Sequence, residues 1–107
     1  CGLPGDKYHA VAEKYLPNGS CGVVSFGVKG GREAAAAFMG HLKIAAIETH
    51  VADARTCCLH PASSTHRQMN DEQLIAAGVQ PDLVRMSCGL EDKNDLIHDI
   101  AQALDQI

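Results

Sequence analysis

The sequence is poor in aromatic residues: among 107 residues there are two Tyr, two Phe and no Trp. Proteins that bind single-stranded nucleic acid stack bases on aromatic side chains, so this scarcity argues against that class. The formal net charge of -4 argues against binding to phosphate backbones. No apolar run reaches the roughly 18–20 residues of a membrane span, and no signal-peptide pattern opens the sequence. We therefore expect neither a nucleic-acid partner nor a membrane partner.

What the sequence contains is typical of one globular domain. Hydrophobic residues make up 46% of the chain and charged residues 21%, which is enough apolar material for a packed core. The length suits a single compact domain spanning residues 1–107. The sequence begins with Cys1 followed at once by Gly-Leu-Pro-Gly, which we interpret as a piece of a longer polypeptide.

Cysteine usage indicates reduced thiols in a cytoplasmic protein. The count is odd and no Cys-x-x-Cys pair occurs, which is unlike a disulfide framework. The five cysteines, all expected to be reduced and buried, are Cys1, Cys21, Cys57, Cys58 and Cys88. Cys57 and Cys58 are adjacent on a predicted strand, so we expect them to face opposite sides and to pack in the core. The six histidines show no zinc-ligand spacing, so no metal site is expected.

The hydrophobic pattern predicts helices and strands in the order αβαββαβα. Predicted helices span residues 6–16, 32–42, 70–78 and 92 onward, and predicted strands span residues 21–28, 44–51, 56–59 and 83–87. Short connections and few strands indicate an α+β fold: a small, mostly antiparallel sheet with helices packed on one face.

Capping residues and apolar spacing define the predicted helices more closely. Asp6, Asn70 with Gln73, and Asp92 are expected to cap helix starts, and Gly78 to end the third helix. The apolar face predicted for the first helix consists of Tyr8, Val11, Ala12, Tyr15 and Leu16. The inner face predicted for the last helix consists of Leu96, Ile97, Ile100, Ala101 and Leu104.

Arg85 is the principal candidate binding residue. It lies inside the apolar strand predicted at residues 83–87, where a guanidinium is costly to bury without an anionic partner. Its rigid fork of donors matches a carboxylate bidentately. Position alone leaves two interpretations open: an ion pair with a nearby acid such as Glu91 or Asp92, or a site for a bound carboxylate.

Seven short segments together resemble one known family. In order they are Gly2-Leu3-Pro4-Gly5, Lys14-Tyr15-Leu16-Pro17, Gly22-Val23-Val24-Ser25-Phe26, Lys29-Gly30-Gly31-Arg32-Glu33, His60-Pro61-Ala62-Ser63, Thr65-His66-Arg67-Gln68 and Arg85-Met86-Ser87-Cys88-Gly89-Leu90-Glu91-Asp92. On these motifs the chain resembles the C-terminal domain of the Cys/Met-metabolism enzymes that depend on pyridoxal phosphate (PLP). Within that family it is most similar to the O-acetylhomoserine sulfhydrylases.

The resemblance implies a division of labour between two domains. The family fold is aspartate-aminotransferase-like: a large domain carries PLP, and the small C-terminal domain, here residues 1–107, closes over an amino-acid substrate. Arg85 would bind the substrate α-carboxylate. His50 stands where relatives have Ser or Asn, which also help to hold that carboxylate; the alternative is a half-exposed strand histidine. Thr65 and His66 would lie near the active-site entrance, or would only form hydrogen bonds within their own loop.

The resemblance also implies a reaction and its limits. The parent enzyme would convert O-acetyl-L-homoserine and sulfide or a thiol into homocysteine or methionine and acetate. None of the lysines (Lys7, Lys14, Lys29, Lys43 and Lys93) matches the family's Schiff-base motif, so no catalytic or cofactor-binding residue is expected here and the isolated chain is expected to be inactive. Cystathionine γ-synthase, cystathionine γ-lyase and methionine γ-lyase remain alternatives, as does a non-catalytic folding or oligomerisation unit. The family is commonly a homotetramer.

Overall fold

The computed structural model describes residues 2–107, so the prediction for Cys1 lies outside the described residues. Its elements are α1 (His9–Tyr15), β1 (Val23–Gly27), α2 (Gly31–His41), β2 (Ala46–Ile47), β3 (Cys57–Leu59), a 3-10 turn (Pro61–Ser63), α3 (Asp71–Ala76), β4 (Leu83–Ser87) and α4 (Lys93–Leu104). This order confirms the predicted one. Over residues 2–107, no helix has the length and apolar character needed to cross a bilayer.

The four strands form one sheet in the order β1-β4-β3-β2. The central strand β4 pairs antiparallel with β1 on one side and with β3 on the other. The short pair of β2 and β3 is parallel. The predicted α+β fold with a mostly antiparallel sheet is therefore confirmed. β2 is much shorter than predicted, because residues 48–55 leave the sheet as an irregular loop.

The core lies between one face of the sheet and the helices α2 and α4. Because side chains alternate along a strand, Val84 and Met86 of β4 point to this face, together with Cys58 of β3. The Ala-rich helix α2 presents Phe38 to it, and the Phe38 ring meets Phe26 edge-on with centroids 5.7 Å apart. Because α2 and α4 cover this face of the sheet, polar side chains of β4 can lie on the opposite face.

Helix α1 differs from its prediction. It begins at His9 rather than at Asp6, whose carboxylate accepts a hydrogen bond from the Tyr8 backbone N–H at 2.8 Å. None of its residues is buried, and the side chains of Tyr8, Val11, Tyr15 and Leu16 are each more than half exposed. Within residues 2–107, the apolar face predicted for this helix is therefore left largely exposed.

Helix α4 starts where predicted but is turned about its axis. Asp92 caps it, accepting a hydrogen bond from the Asn94 backbone N–H at 2.8 Å. Asp99 and Ala103 are its buried residues, whereas Ile97 and Leu104 of the predicted inner face are 62% and 44% exposed. Ile100 of the predicted face does pack against the core, so the prediction is wrong only in part. It missed Asp99, an acidic residue that points inward and carries its own hydrogen-bond partners.

Helix α3 has the predicted capping box. The Asn70 side chain accepts from the Gln73 backbone N–H at 2.9 Å, and the Gln73 side chain accepts from the Asn70 backbone N–H at 3.0 Å. Gly78 follows the helix with φ +81°, the left-handed conformation that glycine adopts most readily. Both ends of α3 could be predicted from the sequence, because the capping box and the terminating glycine each depend only on neighbouring residues.

The four described cysteines are free thiols. Cys57 and Cys58 are buried and face opposite sides of β3, opposing Ser87 and Met86 respectively, as predicted. Burial raises the pKa of Cys58 to about 11, so this thiol stays protonated at neutral pH. Cys21 is exposed, which corrects the expectation that all the cysteines are buried.

Candidate functional site

Arg85 lies in the middle of the central strand, on the face that helices α2 and α4 leave open. It opposes Ser25 of β1 and Leu59 of β3 across the sheet. Its neighbours Val84 and Met86 point into the core, so the Arg85 side chain projects to the other side. Because side chains alternate between the two faces of β4, the Arg85 guanidinium lies on the face opposite the core and not within the core.

The Arg85 guanidinium keeps unused hydrogen-bonding capacity. Its Nη2 donates to the backbone carbonyl of Thr49 at 2.8 Å, while its Nε is buried and has no hydrogen-bond partner. The local ion pair considered from the sequence does not form: Glu91 accepts from Thr56, and Asp92 caps α4. Across residues 2–107, Arg85 has no carboxylate partner. A buried donor without an acceptor is costly, and such donors are rare in native proteins.

The residues that follow Arg85 hold the loop against which it rests. Ser87 Oγ accepts from the Ala52 backbone N–H at 2.9 Å. Ala52 has φ +59°, a left-handed conformation that costs a non-glycine residue about 1–2 kcal/mol. The strained backbone at Ala52 is therefore held by a side chain from the central strand.

Glu91 fixes the far end of the same loop. Its carboxylate oxygens accept from the Thr56 backbone N–H and from the Thr56 hydroxyl, each at 2.7 Å. These two hydrogen bonds hold the pKa of the Glu91 carboxyl below its usual value. Thr56 Oγ1 in turn accepts from the Gly89 backbone N–H at 2.8 Å. Both oxygens of the Glu91 carboxylate therefore accept hydrogen bonds from Thr56, and neither pairs with Arg85.

His50 directly follows the residue that Arg85 contacts, but its own ring is paired with acidic side chains. It follows Thr49, whose carbonyl receives the Arg85 hydrogen bond. Its Nδ1 lies 2.9 Å from Glu48 Oε2 and 3.7 Å from Asp53 Oδ2. The predicted role of His50 in holding a substrate carboxylate stays a prediction, to which only its Nε2 atom is available in this arrangement.

Thr65 and His66 lie in the loop that leaves β3 directly after Leu59, the residue opposite Arg85. Thr65 Oγ1 lies 2.8 Å from His66 Nδ1. The hydrogen bonding within the loop that was considered from sequence is therefore present. The predicted supporting role of both residues at an active-site entrance stays a prediction.

His60 was not singled out from the sequence, yet it anchors this loop. It is only 2% exposed. Its Nδ1 lies 2.8 Å from Ser63 Oγ and its Nε2 lies 2.7 Å from the Pro81 carbonyl oxygen. A carbonyl oxygen only accepts, so the Nε2 atom carries the hydrogen in the contact with Pro81. Its Pro81 contact spans 21 residues, and no local sequence signal announces it.

The five lysines do not form a PLP site. All five are exposed, and those of α1 and the turn before it, Lys14 and Lys7, lie over the rings of Tyr15 and Tyr8 at 5.2 and 4.8 Å. A Schiff-base lysine is activated by desolvation or by a neighbouring cation, and exposed surface amines lack both. Within residues 2–107 the residues present therefore do not fit the cofactor.

Comparison with known proteins agrees with the motifs and the fold. The family model for Cys/Met metabolism PLP-dependent enzymes matches residues 1–105. O-acetyl-L-homoserine sulfhydrylase 1 of Thermus thermophilus is 44% identical over 96% of this chain, and homocysteine synthase of Schizosaccharomyces pombe is 44% identical over 97%. This chain spans only 24% of the length of each of these two relatives.

Comparison with solved structures finds enzymes with related names. A Campylobacter jejuni protein described as an O-acetylhomoserine (thiol)-lyase, whose crystal structure contains N'-pyridoxyl-lysine-5'-monophosphate, superposes with a TM-score of 0.82 at 34% identity, covering 96% of this chain and 24% of that one. Cystathione gamma lyase of Micromonospora echinospora superposes with a TM-score of 0.80 at 29% identity, covering 97% of this chain and 27% of that one. The chain belongs to the Cys/Met-metabolism family of PLP-dependent enzymes.

Proposed function

We propose that this chain is the C-terminal, substrate-closing domain of an O-acetylhomoserine sulfhydrylase. The whole enzyme converts O-acetyl-L-homoserine and sulfide or a thiol into homocysteine or methionine and acetate. Two relatives at 44% identity, named as an O-acetyl-L-homoserine sulfhydrylase and a homocysteine synthase, support this assignment. Because the chain spans only 24% of their length, the remainder of the active site belongs to another part of the enzyme.

The observation that carries the proposal is the unpaired guanidinium of Arg85. Its buried Nε lacks an acceptor, and Thr49 takes a single hydrogen bond from Nη2. A substrate α-carboxylate supplies the planar, anionic acceptor that this fork lacks. Arg85 then orients the substrate, and it transfers no proton because a guanidinium stays protonated throughout.

The cofactor is held elsewhere in the enzyme. PLP in this family serves as an electron sink for carbanion chemistry, and the protein supplies its anchoring lysine and orientation. All five lysines of this chain are exposed, so the isolated chain is inactive and the missing lysine lies in the large domain. Following the family resemblance, we expect the parent enzyme to be a cytoplasmic homotetramer.

Replacing Arg85 in the full-length enzyme tests its role. In Arg85→Ala we expect the KM for O-acetyl-L-homoserine to rise by about 10–100-fold, because charge-assisted hydrogen bonds contribute about 1.5–3 kcal/mol. We expect kcat to fall as well, since a poorly oriented substrate reacts slowly. Arg85→Lys keeps the charge but not the fork, so partial recovery is expected. Steady-state kinetics with varied substrate measure both constants.

The control is Lys93→Ala, which removes an exposed cation from the first turn of α4. Its kinetic constants should match those of the unmodified enzyme. If kcat/KM for the amino-acid substrate is unchanged in Arg85→Ala, Arg85 does not bind the substrate carboxylate. The family assignment would survive that result, because it rests on the comparisons.

An absorbance spectrum tests the division between domains. Purified chain and full-length gene product are each mixed with PLP and then reduced with borohydride. We expect a Schiff-base band and a trapped adduct only in the full-length protein, because the lysines here are solvated surface amines. A specific, stoichiometric adduct on one lysine of the isolated chain would overturn the division.

A second candidate activity is that of a cystathionine γ-lyase or γ-synthase. The fold match to a cystathione gamma lyase favours it, although that protein is only 29% identical to this chain. Product analysis of the full-length enzyme separates the two. Homocysteine from O-acetyl-L-homoserine and sulfide supports the sulfhydrylase, whereas turnover confined to cystathionine supports the lyase.

A further inference from the structure

Three different metal-ligating side chains converge where the loop leaves β2 and returns to β3. The ligand atoms of Glu48, His50 and Cys57 all lie within 4.8 Å of one another. In the parallel pairing, Ala46 opposes Cys57 and Ile47 opposes Cys58, and the Glu48 backbone N–H that follows β2 donates to the Cys58 carbonyl at 3.2 Å. This cluster is separate from the Arg85 guanidinium, although Thr49 lies between two of its members.

The distances within this cluster come close to those of a tetrahedral metal site. Glu48 Oε2 lies 2.9 Å from His50 Nδ1 and 4.0 Å from Cys57 Sγ. Asp53 Oδ2 lies 3.7 Å from the same His50 nitrogen. Zinc bonds of about 2.0–2.3 Å place ligand atoms about 3.3–3.8 Å apart around a tetrahedron. The side chains of Glu48 and His50 are 47% and 62% exposed, so they have room to rotate toward that geometry.

The electrostatics of the cluster favour a cation. Burial, then the carboxylates of Glu48 and Asp53, raise the pKa of the Cys57 thiol, and Arg55 opposes this rise. The Arg55 guanidinium is directed elsewhere, with Nη2 3.4 Å from the Ile44 carbonyl oxygen. The carboxylates of Glu48 and Asp53 therefore place negative charge around the Cys57 thiol, which favours a bound cation there.

We propose that Glu48, His50 and Cys57 form a binding site for Zn²⁺, with Asp53 or a water as the fourth ligand. A set of one thiolate, one imidazole and carboxylate oxygen suits Zn²⁺, whereas Mg²⁺ and Ca²⁺ require oxygen ligands. On binding, the Cys57 thiol gives its proton to solvent and its sulfur bonds to the metal. His50 Nδ1, which donates to Glu48 in the metal-free arrangement, also gives up its proton, so that the neutral ring keeps its hydrogen on Nε2 and bonds the metal through Nδ1. No electron is transferred.

The proposal assigns a structural consequence to the metal. Glu48 keeps one backbone hydrogen bond to Cys58 of β3, whereas Thr49 and His50 lie in the loop, and the Thr49 carbonyl accepts the Arg85 hydrogen bond. A metal bound by Glu48, His50 and Cys57 ties that segment to β3. The metal-site proposal does not rest on the proposed enzymatic function, because it is argued only from the ligand atoms and the distances between them.

Metal titration of the full natural protein that carries this chain tests the site. All measurements use a Cys21→Ser background, which removes an exposed thiol. After metal is stripped with a chelator, Co²⁺ is added and spectra are recorded as differences from the Cys57→Ser variant. We expect thiolate-to-cobalt charge transfer and tetrahedral ligand-field bands that saturate at one Co²⁺ per chain. Zn²⁺ should displace this Co²⁺.

Competition with a chromophoric chelator then gives Zn²⁺ affinities. We expect His50→Ala and Glu48→Gln each to weaken this site by about 10-fold or more. The matched control is His66→Ala, which removes a histidine from another loop and should change the affinity by less than about twofold. Glu48 and His50 are exposed, so their variants remain informative if Cys57→Ser fails to fold. Unchanged affinity in both variants, or no Co²⁺ spectrum attributable to Cys57, overturns the proposal.

Discussion

At the scale of single residues, every second residue from Arg85 to Glu91 contacts the loop between β2 and β3 or the residue at its end. Arg85 donates to the carbonyl of Thr49, and Ser87 accepts from a backbone N–H of the same loop. Gly89 and Glu91 both contact Thr56, where the loop ends. The four defined positions of the Arg-x-Ser-x-Gly-x-Glu pattern therefore all hold this loop, and the half-buried Arg85 guanidinium does so with only one of its nitrogens.

Gly89 is required by contact and not by backbone conformation. A Cβ at this position would lie 2.3 Å from the Ala54 carbonyl oxygen and 2.6 Å from the Arg55 carbonyl carbon. Backbone atoms cannot move aside cheaply, so we expect Gly89→Ala to lower the free energy of unfolding by about 1–3 kcal/mol. Equilibrium urea unfolding measures this change.

Gly40→Ala provides the matched control, because a Cβ there meets nothing within 4 Å and the residue lies inside α2. We expect it to raise the free energy of unfolding by about 0.5–1 kcal/mol through helix propensity. The same sign of change at both positions would contradict the contact argument for Gly89.

At the scale of elements, Asp99 fastens α4 to the segment that leads into β2. Its carboxylate accepts three backbone hydrogen bonds, from the N–H groups of Lys43, Ile44 and Ala45, at 2.8–3.2 Å. Burial opposes ionisation of this carboxyl, but the three donors outweigh it, so its pKa lies below the ordinary 3.8. A buried charge here replaces the apolar contact that helical spacing alone predicted.

This anchor predicts a stability that depends on acidity. Because the folded-state pKa is lowered, ionised Asp99 stabilises the protein above the unfolded-state pKa of 3.8, and the contribution is lost as the pH falls through the folded-state value. At pH 7 we expect Asp99→Asn to cost about 1.5–3 kcal/mol. The difference from wild type should shrink below pH 3.8. Urea unfolding at both pH values tests this.

Asp95→Asn is the control on the same helix, since Asp95 is exposed in the first turn of α4. Its cost should stay below about 1 kcal/mol, the usual size of a helix-dipole interaction. A cost for Asp99→Asn that is independent of pH would mean that its charge does not carry the effect.

Elements governed by neighbouring residues could be predicted from the sequence, and those governed by distant contacts could not. The bounds of β4 and the capping box of α3 were predicted because their signals lie within a few residues. The inner face of α4 was predicted only in part, with Ile100 right and Asp99 missed, because the partners of Asp99 lie 54–56 residues away. Likewise, Arg85 was identifiable from its strand, but its contact with Thr49 was not.

At the scale of the whole molecule, burial is unevenly distributed. Helix α2, strand β4 and helix α4 share one core, whereas α1 contributes no buried residue to it. A helix of seven residues is marginal on its own, because helix nucleation is costly and most helical stability comes from packing. The described residues thus form a well-packed unit with one loosely attached helix.

Hydrogen exchange measures this difference directly. In the isolated chain we expect the amides of α1 to exchange far faster than those of β4 and α2, because local opening of an unburied helix costs little free energy. Mass spectrometry of peptides from each element resolves them. Protection of α1 equal to that of β4 would contradict the expectation.

The central position of β4 also governs the order in which the sheet can be made. A ribosome delivers β1, β2 and β3 before residues 83–87, yet β1 pairs only with β4, and β1 and β3 do not pair with each other. The first strand must therefore wait for a partner about sixty residues downstream. Such long-range pairing slows folding and exposes unpaired strand edges during synthesis. The strand that carries Arg85 is thus also the one whose arrival completes the sheet.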